Sequence, residues 1–205
     1  YLKMVVVTQA VLALCVGSFL STALLMYTQE FNVSATTAGL LLGVGEGLSA
    51  LTISLTAAAA AKMGQEPTGE TGGLFQALYS RPLHVPLALL AVGTATMGFA
   101  VPQFAVAIVC QMVFSSVNDL SITLLNELIS TSVSPAQFKA ANALGQWLRR
   151  LGNVLTGVTG PILFGVFPWL PFLLYGGVVA LWACFLWRAL YLQAKAVVPA
   201  KQRSQ

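Results

Sequence analysis

Apolar residues dominate six long stretches of the chain, at about 4–27, 37–61, 83–101, 103–133, 137–167 and 168–192. Each has about the 20 residues needed to cross a hydrocarbon core ~30 Å thick. Backbone in lipid must satisfy its own hydrogen bonds, so all six are predicted to be helices. The breaks between them are short, with one exception. Residues 62–82, "KMGQEPTGETGGLFQALYSRP", are rich in Gly, Pro and Glu and form the expected extramembrane loop. Residues 193–205 form the expected tail. The predicted fold class is all-α, a polytopic membrane protein with six transmembrane helices in one domain.

Polar side chains are unevenly shared among these spans. The third and sixth are nearly pure hydrocarbon. The first carries Gln9, Ser18, Ser21 and Thr22, and the second carries Glu46. In the fourth, "SSVNDLSITLLNELIS" places Ser115, Asn118, Asp119, Thr123, Asn126 and Glu127 in the half that follows a start, "FAVAIVCQMVF", apolar but for Gln111. Asp119 and Glu127 are two helical turns apart, on one face. In the fifth span Asn142, Gln146, Arg149, Asn153 and Thr156 recur at intervals of four, three, four and three, which is again one helical face. Polar side chains exposed to lipid are costly, so four helices are expected to surround something polar while two face lipid.

Two acids stand out by depth. Counted from Thr37 at 1.5 Å per residue, Glu46 lies about 14 Å in, near mid-membrane. Gly39, Gly43 and Gly47 repeat at four-residue steps and invite close approach of another helix on their face. Glu46 beside them reads either as interhelical hydrogen-bonding glue or as a titrating carboxyl on a proton or cation pathway. Asp119 lies near the cytoplasmic boundary. The fourth and fifth spans turn at Ser134-Pro135 and form an antiparallel hairpin, which brings Asp119 to the depth of Arg149 and Arg150. A structural salt bridge there and a substrate or coupling role for Asp119 are the two readings of that pair.

Composition agrees with the pattern. The chain is 57% hydrophobic and 8% charged, against about 25% charged residues in soluble domains. Its net charge of +4 carries no nucleic-acid signal, because no basic stripe is interleaved with aromatics. The ten Lys and Arg residues serve instead as topology markers. All fall on or toward one side of a six-span arrangement. The opposite connections, "TQEFNVSAT", "PQ" and "FPWLP", carry none. Both ends and the 62–82 loop are therefore expected on the cytoplasmic side of a multi-pass protein.

Several chemistries are left without residues to perform them. Cys15, Cys110 and Cys184 lie within apolar runs at neither disulfide nor metal spacing. His84 flanks Pro82 and Pro86 at a helix start. No nucleophile triad, metal cluster or phosphate loop is present, and "GVGEG" lacks the strand that a nucleotide fingerprint requires. Enzymatic activity, a metal, a cofactor and nucleic-acid binding are not expected. The chain opens on Tyr1, and its first apolar run is too long for a signal-peptide core, so residues preceding Tyr1 are expected.

Three stretches carry a family likeness. Residues 127–143, "ELISTSVSPAQFKAANA", offer Glu127, Pro135, Lys139 and Ala143 as an acid, proline, base and small-residue run. Residues 151–165, "LGNVLTGVTGPILFG", offer a Gly-Pro helix, and the long loop offers Gly64 and Arg81. Together with the helix order they resemble the C-terminal six-helix half of a major facilitator superfamily transporter. The resemblance implies that first and fourth helices line a cavity, second and fifth flank it, and third and sixth face lipid. It implies half of a secondary transporter that moves a small solute by alternating access, with its partners the lipid bilayer and a second six-helix half. Gln9, Ser18, Gln111, Ser115, Asn118 and Asp119 would then form this half's substrate-binding wall. Two alternatives stand beside it: a non-transporting membrane subunit of a larger complex, and a half-size transporter acting as a homodimer.

The charge partition predicts a labelling pattern. Single cysteines placed in 64–73 and 196–205 should react with impermeant reagents from the cytoplasm, and those in 29–35 from outside. Reaction of 64–73 from outside alone would contradict the six-span orientation.

Overall fold

The computed structural model describes residues 2–64, 84–132 and 134–202. Among them every regular element is helical. α1 (Leu2–Leu25) continues into one π-helical turn, Met26–Glu30. It is followed by α2 (Ala35–Gly64), α3 (His84–Gly98), α4 (Phe104–Ser132), α5 (Pro135–Val166) and α6 (Leu170–Gln202). Residues 62–64 of the expected loop are the last turn of α2, and the rest of that loop lies outside the described residues. Residues 193–202 of the expected tail continue α6.

Four of these helices contain stretches long and apolar enough to cross a membrane: Lys3–Glu30, Ala35–Leu55, Phe104–Asn126 and Leu170–Ala189. They are the make-up of an integral, multi-pass membrane protein whose apolar faces suit lipid. α3 is apolar but spans only 15 described residues. α5 has 32 residues, but its polar face interrupts every apolar window.

Local chemistry sets the helix ends. Asn32 takes a left-handed φ of 52°, which Asn tolerates better than most residues, and it turns the chain out of the π-turn. Ser34 then caps α2, its Oγ accepting the Thr37 N–H at 3.2 Å. Extended Ser134 followed by Pro135 starts α5, where a missing N–H costs nothing.

α1 is the central post. Val5, Thr8, Leu12, Cys15, Phe19, Thr22 and Met26 are all buried, and its neighbours are α5, α6 and α4. Helices in lipid gain little from hiding apolar surface from one another, so close approach of small residues decides which ones meet. A Cβ on Gly17 would lie 2.7 Å from Asn153 Cα, and one on Gly152 would lie 2.9 Å from Ala13 Cβ. α1 and α5 therefore touch nearly backbone to backbone. α3 and α6 meet the same way: a Cβ on Gly93 would lie 2.7 Å from Gly176 O. Aromatic rings bind the remaining edges. Phe19 of α1 stacks on Phe114 of α4 at 3.9 Å, and Phe99, just past α3, sits 5.0 Å from both Phe19 and Phe172 of α6.

Two expectations from the sequence are corrected here. α4 and α5 do not form a tightly packed hairpin, because the glycines of α5 face α1 and draw it there. Nor is α3 an outer helix of this chain. α3 buries Val85, Leu89, Val92 and Thr96. α6 buries Phe172, Val179 and Ala183 and exposes Leu173, Leu174, Val178, Leu181, Phe185 and Trp187. Broad exposed apolar faces belong also to α2, with Leu40, Val44, Leu51 and Leu55, and to α5, with Trp147, Val154, Val158 and Ile162. The close seam at Gly93 and Gly176 is what holds α3 inward.

Gly93→Leu should overpack this seam and lower the melting temperature of the detergent-purified protein, by the equivalent of about 1–3 kcal/mol. Gly43→Leu, where an added Cβ meets nothing within 4 Å, should cause no such loss. Equal melting of both variants and the parent would contradict the α3–α6 contact.

Candidate functional site

α1, α2, α4 and α5 enclose a cleft of about 210 Å³. Leu12, Ala13, Val16 and Leu20 of α1 form its apolar wall, with Phe114 and Ile122 of α4. Its polar lining is Glu46 of α2, Ser115, Asn118 and Asp119 of α4, and Arg149 and Asn153 of α5. The two polar stripes seen in the sequence, one on α4 and one on α5, thus face a common space.

α2 is set against α4 by Ala38, Gly45 and Ser49, which are all buried. A Cβ on Gly45 would stand 2.8 Å from Ser115 Oγ. Gly39, Gly43 and Gly47, expected to receive a close helix, meet nothing within 4 Å. Glu46 follows Gly45 but points away from that contact. It lines the cleft, is exposed, and makes no hydrogen bond or ion pair among the described residues.

Asp119 is held by neighbours. Ser49 Oγ donates to its Oδ2, and Asn118 Nδ2 donates to its Oδ1 at 3.2 Å. The Asn118 amide is oriented by that bond, because a carboxylate accepts and only the nitrogen can donate. Its Oδ1 is left buried and without a partner. Asn153 Oδ1 is likewise buried and unpartnered. Arg149 Nη2 donates to Gln146 Oε1 at 2.9 Å, one turn back on α5.

The salt bridge expected between Asp119 and Arg149 or Arg150 is not formed among the described residues. α5 lies along α1, which leaves open space between the acid and Arg149 instead of a contact. Arg150 is exposed and does not line the cleft.

The other expected wall residues divide into two groups. Ser115, Asn118 and Asp119 line the cleft. Gln9, Ser18 and Gln111 are buried beside or beyond it. Gln9 Nε2 donates to Asn126 Oδ1 at 3.1 Å, and Gln9 lines a much smaller neighbouring space with Gln146 and Arg149. Ser18 leaves Oγ without a partner. Gln111 is a structural clamp: its Oε1 accepts from Tyr27 O–H, and its Nε2 donates to Leu41 O at 2.8 Å, tying the end of α1 to α4 and α2. Asn153, which lines the cleft, and Ser49, which lies behind it and donates to Asp119, were absent from the expected wall. Asn153 belonged to the α5 stripe, and Ser49 repeats Gly45 at a four-residue step, so each left a signal in the sequence.

Compared with protein-family models, curated proteins and solved structures, the chain finds no match.

The Gln111 clamp can be tested by a double-mutant cycle. Gln111→Leu leaves the buried Tyr27 hydroxyl unpaired and should cost about 1–3 kcal/mol of stability. Adding Tyr27→Phe should cost less than its own single loss, as read by thermal unfolding in detergent. Strict additivity would remove the clamp.

Proposed function

We propose that this chain is one six-helix half of a secondary transporter of the major facilitator type, with the cleft as its share of a solute path. One observation carries the reading. An apolar helical body holds a polar cleft lined by two acids, an arginine and two amides, with oxygen acceptors left unanswered. A purely structural membrane bundle would close such groups onto one another, because unpaired polar atoms away from water are costly.

Glu46 supports a second body facing the cleft. It is exposed in this chain, yet it sits within an apolar span at about mid-depth. A carboxyl there is expensive against lipid and needs protein or a watered cavity in front of it. A second six-helix half across the cleft would supply both. On this reading α3 and α5 complete six crossings: α3 has little surface left for lipid, and α5 turns its polar face to the cleft. Both ends and the 62–82 segment lie on the cytoplasmic side, as the basic residues suggest. Rocking of the two halves would open the cleft to each side in turn. The broad exposed faces of α2 and α5 also fit a non-transporting subunit of a larger complex, and the same experiment separates the two readings.

In the full protein, a single cysteine replacing Ser115 or Asn153 should be reached by impermeant thiol reagents from both sides of sealed vesicles, at rates that a transported solute alters. Reaction from one side only, under all conditions, would overturn transport and favour the subunit.

A further inference from the structure

The chemistry of the cleft specifies the charge of its occupant. Two carboxyl groups line it, Glu46 and Asp119, against one guanidinium, Arg149. Arg149 already donates to Gln146, while Glu46 makes no such bond among the described residues. Asn118 is 9% exposed and gives one amide N–H to Asp119, while its Oδ1 is buried without a partner behind the same wall. Asn153 of α5 also lines the cleft, with its own Oδ1 buried without a partner. The lining thus carries more negative than positive charge. The apolar wall of Leu12, Val16, Phe114 and Ile122 suits a short carbon chain.

We propose that the cleft binds the protonated amine of a small organic cation, with the ammonium N–H groups donating to the Asp119 carboxylate, Glu46 adding its negative charge, and the carbon stem lying on the apolar wall. An ammonium group has three donors and a positive charge, which suits the carboxylate excess of this lining. Charge-assisted hydrogen bonds to a carboxylate are about twice as strong as neutral ones, so an amine should be preferred over an alcohol of the same shape. An anionic solute would meet two acids against a single guanidinium. The proposal rests on the transporter reading for its biological meaning, but not for its binding chemistry.

The test uses three water-soluble, four-carbon probes of matched shape: 4-hydroxybutylammonium, 4-hydroxybutyrate and butane-1,4-diol. Their binding to the full protein in lipid nanodiscs would be measured by calorimetry. The ammonium probe should bind about tenfold more tightly than either of the others, which corresponds to about 1.4 kcal/mol. Asp119→Asn should remove about that preference. Arg149→Gln, which deletes the opposing charge, should strengthen ammonium binding, and it provides a second reading should Asp119→Asn fail to fold. Equal affinity for the three probes, no detectable ammonium binding, or a preference untouched by both variants would overturn the proposal. Proteoliposome flux separates this outcome from the fate of the transporter reading. Ammonium binding without uptake would remove transport and leave the cation site. Uptake of the diol or the carboxylate that Asn153→Trp abolishes, without ammonium binding, would do the reverse.

Discussion

The close approach of α1 to α5 sets most of this architecture. Between helices in lipid there is little hydrophobic gain, so the pair that can come closest gains the most dispersion contact. Gly17 on one side and Gly152 on the other permit a separation that any larger side chain would prevent. Once α5 lies along α1 it cannot also lie along α4, and the space between the polar faces of α4 and α5 stays open. The cleft is therefore a consequence of where the glycines are. Its polar residues line a gap that helix packing had already left.

The polar groups of the membrane body fall into two classes by their satisfaction. Gln111 spends both ends of its amide, on Tyr27 and on the Leu41 carbonyl, and it fixes three elements at once. Thr8, Thr22, Thr96 and Thr156 each return their hydroxyl to a carbonyl one turn earlier in their own helix, so they add little to recognition. Asn118, Asn153 and Glu46 are different. Each keeps at least one oxygen unmatched, and all three border the cleft. Burying a polar atom costs free energy unless something hydrogen-bonds to it, so the satisfied groups build the scaffold, while Gln9, Ser18 and His84 carry unmatched atoms away from the cleft as well.

Sequence periodicity made the helices and the polar faces legible. The four-three spacing from Asn142 to Thr156 gave the face of α5 that meets the cleft, and the cluster around Asp119 gave that of α4. Partner choice was less legible. Gly39, Gly43 and Gly47 look like a contact face, but the register one turn-fraction away, Ala38, Gly45 and Ser49, is the one that packs. Both patterns place small residues on a helix, and nothing local distinguishes them. The difference is made by Ser115 and Gln111 on α4, which are distant in sequence. The pairing of Asp119 with Arg149 failed for a similar reason. Equal distance from a turn predicts equal depth, but contact requires that the two helices be adjacent, and α1 competes for α5.

The arrangement gives α2 a particular part. It is held to the rest of the described chain chiefly through α4, by the Gly45 contact, the Gln111 amide and the bond from Ser49 to Asp119. α1, α3, α4 and α6 are locked together by the aromatic cluster and the glycine seam. Of the cleft walls, α2 is thus the one with the fewest ties, and it brings Glu46 and Ser49 with it. A shift of α2 away from α4 would take a donor from Asp119 and carry an acid out of the cleft in the same movement. The carboxylate would then be short of one hydrogen bond, a deficit that only water or a donor-bearing solute could make good. Asp119 accordingly links the position of one helix to the chemistry of the space beside it.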